Sequence, residues 1–537
     1  MEENVKMFSK SEKFQQEYST RIHHIEEGAL TPMENSDFLA TLLISGDLIV
    51  VRKDEFKGDG SEYVFYAANE TIVPETFLTA NNLWAIEHYD LNANAKEVDA
   101  VITEAENLKK QGKEDEANAK MAEAKSMCGY FYNNRIRVAK LRKTPSYGFV
   151  FTKDTLIRWK PELEEYFAQH TMKELYESEE GGLFFDTIGD ELFCKAYVPK
   201  RNTPRAPGTG KRHNKLNNRL KQFDRIIPEF FSFHYNTDKL ADNMWRIKPD
   251  TVVDISVKLH GSLGEYANVK TRKKLILPLR LWNKFSDKFL GGKNRVNDVE
   301  FAKIYSSHKV IKNQYINKDV TGGYYGKDIW KFVYDIIKDF IPEGYTLYGE
   351  IVGYVDDSGA MIQKGYDYGC VAKDNVDGKV QKQYMIYRIS EALEDGTSKE
   401  WSVSKVKEWT ENLIAEHPEI APFIRPIDLL WHGTLAELYP EIDTENHWQE
   451  NVLQALKNDK EHFGMELDEP FCKNKVPREG IVLRIDTGEE SVPASAYKLK
   501  CDTFRARELK AIDKGEVDME MEIEYQEQQE SGADEEA

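Results

Sequence analysis

One short stretch constrains this chain more than any other: Val253, Asp254, Ile255, Ser256, Val257, Lys258, Leu259, His260, Gly261, Ser262. An apolar run of strand length carries into a lysine, after which a histidine, a glycine and a serine turn the chain over. This pattern fixes one amine at the end of a strand, beside a turn whose glycine lets backbone approach a ligand. An amine held there is a candidate nucleophile if its surroundings remove its proton, because free lysine has a pKa of about 10.4. Strand-end lysines are more often simply solvated, so the stretch taken alone leaves both readings open.

The rest of the chain narrows the setting. At 537 residues it has room for about two to four domains, and 40% hydrophobic with 31% charged residues is the balance of a soluble globular protein. No apolar run approaches the ~18 residues of a membrane span, and the first residues lack the basic and apolar regions of a signal peptide, so no membrane partner and a cytoplasmic location are expected. The five cysteines are scattered, without Cys-x-x-Cys pairs or zinc-ligand spacing. They read as reduced thiols. A net charge of −20 argues against a uniformly basic nucleic-acid coat, but ten acidic residues and no basic one lie between Glu516 and Ala537. That tail, residues 511–537, is expected to be a disordered, solvating end.

From the start of the chain, Phe38–Ile44, Asp47–Val51 and Tyr63–Tyr66 read as strands, separated by Ser45-Gly46 and Lys57-Gly-Asp-Gly60. Strands resume at Arg135–Leu141 and Tyr147–Thr152, which makes a small β-barrel the natural class. Between the two groups, residues 95–127 carry Val98, Val101, Ile102, Ala105 and Leu108 at helical spacing, with Gly112 in the middle, and predict a helical hairpin. Arg135, Arg137, Lys140, Arg142 and Lys143 are candidates to face nucleic-acid backbone. Strand alternation would put Arg135 and Arg137 on one face, which a solvated barrel face explains equally well.

Lys200–Arg225 holds nine basic residues and one acid, with Pro204, Pro207, Gly208 and Gly210 near its start. Residues 199–225 are expected to form a linker in which Lys211 and Arg212 contact phosphates, or contact nothing. Gly208-Thr-Gly-Lys211 is not a phosphate-binding loop of the Walker type, because Arg212 stands where a Ser or Thr is needed and the upstream glycine is missing. Beyond it, residues 226–510 alternate strands with helices such as Trp330–Phe340. Residues 391–471, with Trp401, Trp409, Trp431 and Trp448, read as a mainly helical insertion whose aromatics belong to a core.

The order of further short motifs decides how Lys258 is read. Tyr348-Gly-Glu350-Ile, Met385-Ile-Tyr387-Arg-Ile389, Glu479-Gly-Ile-Val482 and Tyr497-Lys-Leu-Lys500 follow it in turn. Each is weak alone. Together and in that order they resemble the covalent nucleotidyltransferases, the superfamily of ATP-dependent RNA and DNA ligases and mRNA capping enzymes. The Lys-x-His-Gly form is similar to the RNA ligase 2 group, and the order of features before residue 198 resembles the N-terminal OB domain of Deinococcal-type RNA ligases.

That resemblance implies an α+β protein: an OB-like β-barrel with a helical hairpin inserted over 1–198, then an ATP-grasp-like nucleotidyltransferase domain of antiparallel sheets with flanking helices over 226–510. It implies ATP as the nucleotide, with AMP carried covalently on Lys258, and Mg2+ or Mn2+ as the divalent ion. Glu350 would hold the ribose, Tyr387 would stack on adenine, the backbone around Val257 would read the base edge and His260 would help position the AMP phosphate. Glu479 would bind the metal. Lys498 and Lys500, two apart on a strand and so on one face, would neutralise phosphates. Two departures stand out: Arg388 replaces the aspartate that usually follows the stacking aromatic, and the family's arginine between the first two motifs has no clear counterpart, His308, Lys309 and Arg272 being the nearest substitutes. A DNA ligase or capping enzyme would carry a further domain after Lys500, and few residues follow it here. The expectation is therefore an RNA ligase acting as a monomer on RNA, or on a nicked RNA/DNA duplex, in RNA repair. A non-catalytic nucleic-acid-binding protein with a decayed site is the alternative from another class.

Overall fold

A computed structural model describes residues 7–34, 36, 38–142, 144–197, 225–273, 275–308, 311–312, 325, 327–373, 378–485 and 495–513. The chain separates into two compact units, Met1–Val198 with Ala241–Arg246, and Pro199–Leu240 with Ile247–Ala537. Lys143, Lys211, Arg212, Lys309, most of the basic stretch before Arg225 and the tail from residue 514 lie outside the described residues.

In the first unit, Leu39–Ile44, Asp47–Arg52 and Glu62–Ala67 are strands, as the runs bounded by turn residues predict. Among the described residues the strands of this unit do not close into a barrel. Leu30–Pro32, Leu39–Ile44 and Asp47–Arg52 form one sheet, while Phe149–Phe151, Glu62–Ala67, Thr20–Ile25 and Phe184–Phe185 form another. Several remaining strands are only two or three residues long and pair in small separate ribbons, too short to carry a continuous ladder round a closed surface. Helices Ala95–Lys110 and Glu114–Ser126 make the hairpin, meeting through buried Val98, Ala105, Ala117 and Ala124.

The basic run before this unit's last strands needs correcting. Arg135 is not on a strand face open to nucleic acid. It is 5% exposed, its Nε donates to Glu70 Oε2 at 2.8 Å, and its guanidinium lies 4.2 Å from the centre of the Tyr197 ring. Only Ala139–Leu141 of the expected strand is formed, so the alternation that would have placed Arg135 beside Arg137 does not operate. Arg137 is exposed, and Arg142 is an exposed turn residue with φ 45°.

In the second unit, with elements numbered from its start, one sheet contains β1 (Asp238–Lys239), β2 (Val252–Lys258), β9 (Leu429–Thr434), β10 (Gly480–Ile485) and β11 (Ala496–Lys500), in the order β1-β11-β10-β2-β9. The other contains β3 (Ser262–Arg272), β4 (Val299–Ser306), β5 (Tyr345–Gly353), β6 (Lys382–Ala392) and β7 (Ser398–Glu400), in the order β4-β3-β5-β6-β7, with β8 (Ile424–Pro426) beside β6. Pairing is antiparallel except for β1 with β11 and β6 with β8. The turn Leu259–Gly261 carries the chain from the first sheet to the second, so the candidate nucleophile sits where the two sheets join.

Helix α1 (Leu277–Phe289) follows β3, and α2 (Ile329–Ile337) and α3 (Val403–Glu416) cover the second sheet. Ile329, Trp330, Val333 and Ile337 recur at helical spacing on α2 and bury against Leu347, Ile351, Ile386 and Ile389 of the sheet, together with Val406 and Leu413 of α3. Residues 391–471 are not a mainly helical subdomain. Apart from α3, a short helical turn and α4 (Trp448–Asn458), they supply β7, β8 and β9, and β9 pairs directly with β2 from Val252 to Ser256. Trp401 and Trp448 are buried, whereas Trp431 is half-buried on β9.

Gly480 shows why a glycine must start β10. Its φ is 150°, and a β-carbon there would lie 2.0 Å from the Leu499 carbonyl oxygen and 2.8 Å from Lys500 Cα. Gly480→Ala is expected to lower stability by about 1–3 kcal/mol, the usual range for overpacking, as a shifted midpoint in urea unfolding followed by tryptophan fluorescence; an unmoved midpoint would show that β11 gives way. Arg135→Ala leaves Glu70 buried without its cation and should cost about 3–5 kcal/mol, read as a fall in melting temperature. A surface role for Arg135 predicts almost none.

Candidate active site

The register of three strands builds the site. Lys258, at the end of β2, stands opposite Gly480 of β10, which stands opposite Lys500 of β11. Neighbouring strands lie ~4.8 Å apart, so the two lysine backbones flank a gap of roughly 10 Å with only a glycine between them. Glu479, the residue just before that glycine, fills the gap. Its Oε1 is 2.8 Å from Lys258 Nζ and 3.6 Å from Lys500 Nζ, and its Oε2 is 3.6 Å from His260 Nδ1. Lys500 also donates to Glu508 at 2.8 Å, on α5 (Asp502–Asp513).

Glu479 is 1% exposed. Burial alone would raise its pKa, but Lys258, Lys500 and His260 outweigh burial and bring the carboxyl down to about 2. A charged carboxylate in the interior is stable only with such partners. Lys498 is on the same side of β11 as Lys500, half-buried, opposite Val482 and beside Lys239. The buried Tyr497 and Leu499 alternate with these two lysines.

The turn after Lys258 is held from elsewhere in the chain. Tyr368 Oη accepts the His260 N–H at 2.8 Å, and Gln363 Nε2 donates to the Gly261 carbonyl at 2.8 Å. The His260 ring meets Tyr366 and Phe504 edge-on, at 4.9 and 5.0 Å. Tyr368 takes φ 47°, a left-handed conformation that costs a bulky residue about 1–2 kcal/mol. Gly261 passes close to β5: a β-carbon there would be 2.8 Å from the Ile351 carbonyl and 3.0 Å from Glu350 Oε2. Only glycine allows the turn and Glu350 to come together.

Tyr387 is placed by a defect in the ladder. Tyr348 pairs with Arg388 and Gly349 with Ile386, so Tyr387 is the extra residue of a β-bulge. The bulge re-aims its ring, which lies half-buried beside Glu350 and 5.4 Å from the ring of His234. Burial first, and then the negative charges of Glu350 and Glu265, hold its phenol well above the usual range. Val257 is 5% exposed and its N–H donates to the Asp428 carbonyl at 3.3 Å.

Several contacts here could not be read from the local sequence. Arg388 is 7% exposed and donates to Glu400 Oε1 at 2.5 Å and Oε2 at 3.1 Å, and Arg484 of β10 approaches the same carboxylate at 3.8 Å. Glu400 thus links the two sheets. Glu265, 1% exposed, accepts from the His234 N–H at 2.7 Å and the Ser306 hydroxyl at 2.6 Å. Among the described residues no group of three or more His, Cys, Asp and Glu side chains is arranged as a ready-made metal site. The structure therefore gathers Lys258, His260, Glu479 and Lys500 directly, with Glu350 and Tyr387 beside them. It does not bring Arg135 to any exposed surface.

No profile of a known protein family matches the chain, and no curated protein matches it. Among solved structures it is similar to a variant of Naegleria gruberi RNA ligase with ATP and Mn, at 12% identity and a TM-score of 0.45, over 92% of this chain and 99% of that one. It is also similar to the same organism's RNA ligase with PPi, at 13% identity and a TM-score of 0.44, over 92% and 98% of the two chains.

Because the carboxyl of Glu479 is held down to about 2 against an ordinary 4.5, it contributes stability at any pH above 4.5, and that contribution is lost as pH falls through about 2. The stability difference between the protein and its Glu479→Gln variant should therefore shift by roughly 2–4 kcal/mol across that acid window and stay flat above it. Denaturant unfolding at a series of pH values measures it, and parallel curves would show that the carboxylate is not held by the lysines.

Proposed function

We propose that the chain is an ATP-dependent RNA ligase working through an AMP carried on Lys258. The observation that supports this best is the sharing of one buried carboxylate, Glu479, by two lysines from different strands. A nucleophilic amine must be neutral. Glu479 favours the charged form of Lys258 while Lys500 beside it opposes that form, so the amine would become a nucleophile once the charge of Glu479 is turned to another cation.

In the first step Lys258 Nζ attacks the α-phosphorus of ATP; the N–P bond forms, the bond to the bridging oxygen breaks, pyrophosphate leaves and the amine gives up its proton. Lys498 and Lys500 face the phosphates, Tyr387 offers a stacking surface to adenine and Glu350 a carboxylate to the ribose. AMP then passes to a 5′-phosphate. A 3′-hydroxyl attacks that activated end, AMP leaves and a phosphodiester remains. Positioning and charge stabilisation supply most of the rate in each step.

The acidic side chains fit a divalent ion that keeps several waters and takes the rest of its oxygens from phosphates, as Mg2+ and Mn2+ do. Glu479 is the residue to hold it, and its chemistry would be to offset charge on the phosphate oxygens. The substrates in this reading are RNA ends or a nicked RNA/DNA duplex, and the setting is RNA repair.

Incubation with α-labelled ATP and Mg2+ or Mn2+, without nucleic acid, should leave label on the denatured protein. Lys258→Ala should abolish it, and Lys500→Ala should reduce it by about 100-fold or more, as for loss of a group acting on developing charge. Label from GTP instead would favour a capping enzyme, and no label from either nucleotide would leave a binding protein.

A further inference from the structure

His234 belongs to the segment preceding β1, outside every motif. Its backbone N–H donates to Glu265 on β3, and its ring lies 5.4 Å from Tyr387 and 5.6 Å from Tyr348. Arg388 Nη1 stands 3.2 Å from His234 Nδ1. A guanidinium has only donors to offer, so Nδ1 accepts. The imidazole is then neutral and its proton sits on Nε2. Burial first, then the positive charges of Arg388, His308 and Lys258, also hold its pKa well below 6.5.

Nε2 has no hydrogen-bond partner among the described residues, and the side chain is half-buried beside the bulged tyrosine. The ring is therefore fixed on one side and offers a single N–H donor on the other. We propose that His234 is a specificity-determining residue that presents this donor to the nucleobase stacked on Tyr387, selecting adenine over guanine.

The discrimination follows from the bases themselves. Ring nitrogen N1 carries a lone pair in adenine and a hydrogen in guanine. A fixed donor pairs with the first and meets a second donor in the other, so both go unpaired when the base is bound. Arg388 fixes the tautomer, which gives a chemical use to an arginine where related motifs carry an acid. The inference rests on the reading of the site as an ATP site.

The test is self-labelling with α-labelled ATP and GTP in parallel, for the full chain, His234→Ala and His234→Gln, each checked for an unchanged melting temperature. The protein should favour ATP. The ATP-to-GTP ratio of labelling efficiencies should fall about ten-fold in His234→Ala, the effect of one lost hydrogen bond. His234→Gln keeps an N–H donor and should retain most of the ratio; it carries the comparison if the alanine variant fails to fold. A ratio unchanged in His234→Ala, or labelling lost equally with both nucleotides, overturns the assignment. Equal labelling of the unaltered protein by ATP and GTP overturns it too, while leaving nucleotidyl transfer intact. No labelling of the unaltered protein removes the underlying reading, and the inference with it.

Discussion

A single buried negative charge organises the second unit. Glu479 is almost fully enclosed, and an isolated carboxylate there would be expensive enough to take up a proton instead. It stays ionised because Lys258, Lys500 and His260 converge on it. The partners come from two pieces of chain far apart in sequence, so the requirement to neutralise one charge fixes the end of β2 with the turn after it and the end of β11 together. Gly480 makes the arrangement sterically open, since any side chain there would run into Leu499.

A second charge cluster joins the sheets. Arg388 and Arg484 approach Glu400 from different sheets, all three nearly buried. Buried ion groups of this kind add little net stability against an apolar core, but losing one member leaves an unpaired charge. Arg388 is also the residue that follows the bulge at Tyr387, and it contacts both Glu400 and His234. Tyr387 and the arginine that meets His234 are thus set by the same defect in the ladder.

Local pattern made much of this legible. Val253–Val257 read as a strand because an apolar run before a Gly turn has few alternatives, and Lys498 and Lys500 share a side because strands have a period of two. Glu479-Gly480 was visible as a motif, although the close approach that demands the glycine was not. Arg135 shows the opposite case. Its charge suggested a surface, and only the fold puts Glu70 and Tyr197 beside it. Residues 391–471 differ from the local pattern for a related reason: Leu429–Thr434 gains strand structure by pairing with β2, a partner more than 170 residues away along the chain. His234, Gln363 and Tyr368 carried no local signal, because each acts through a contact made across the fold.

By itself the sequence determined which residues bear chemistry and on what kind of element they lie: a lysine at a strand end, paired lysines on one strand face, carboxylates beside glycines. Periodicity and turn chemistry are local, so they survive in a linear reading. Tertiary structure decided which of those groups meet, which charge is buried and which tautomer a histidine takes. Those outcomes depend on distance, enclosure and the donors of neighbours from remote strands, and none of these is a property of adjacent residues.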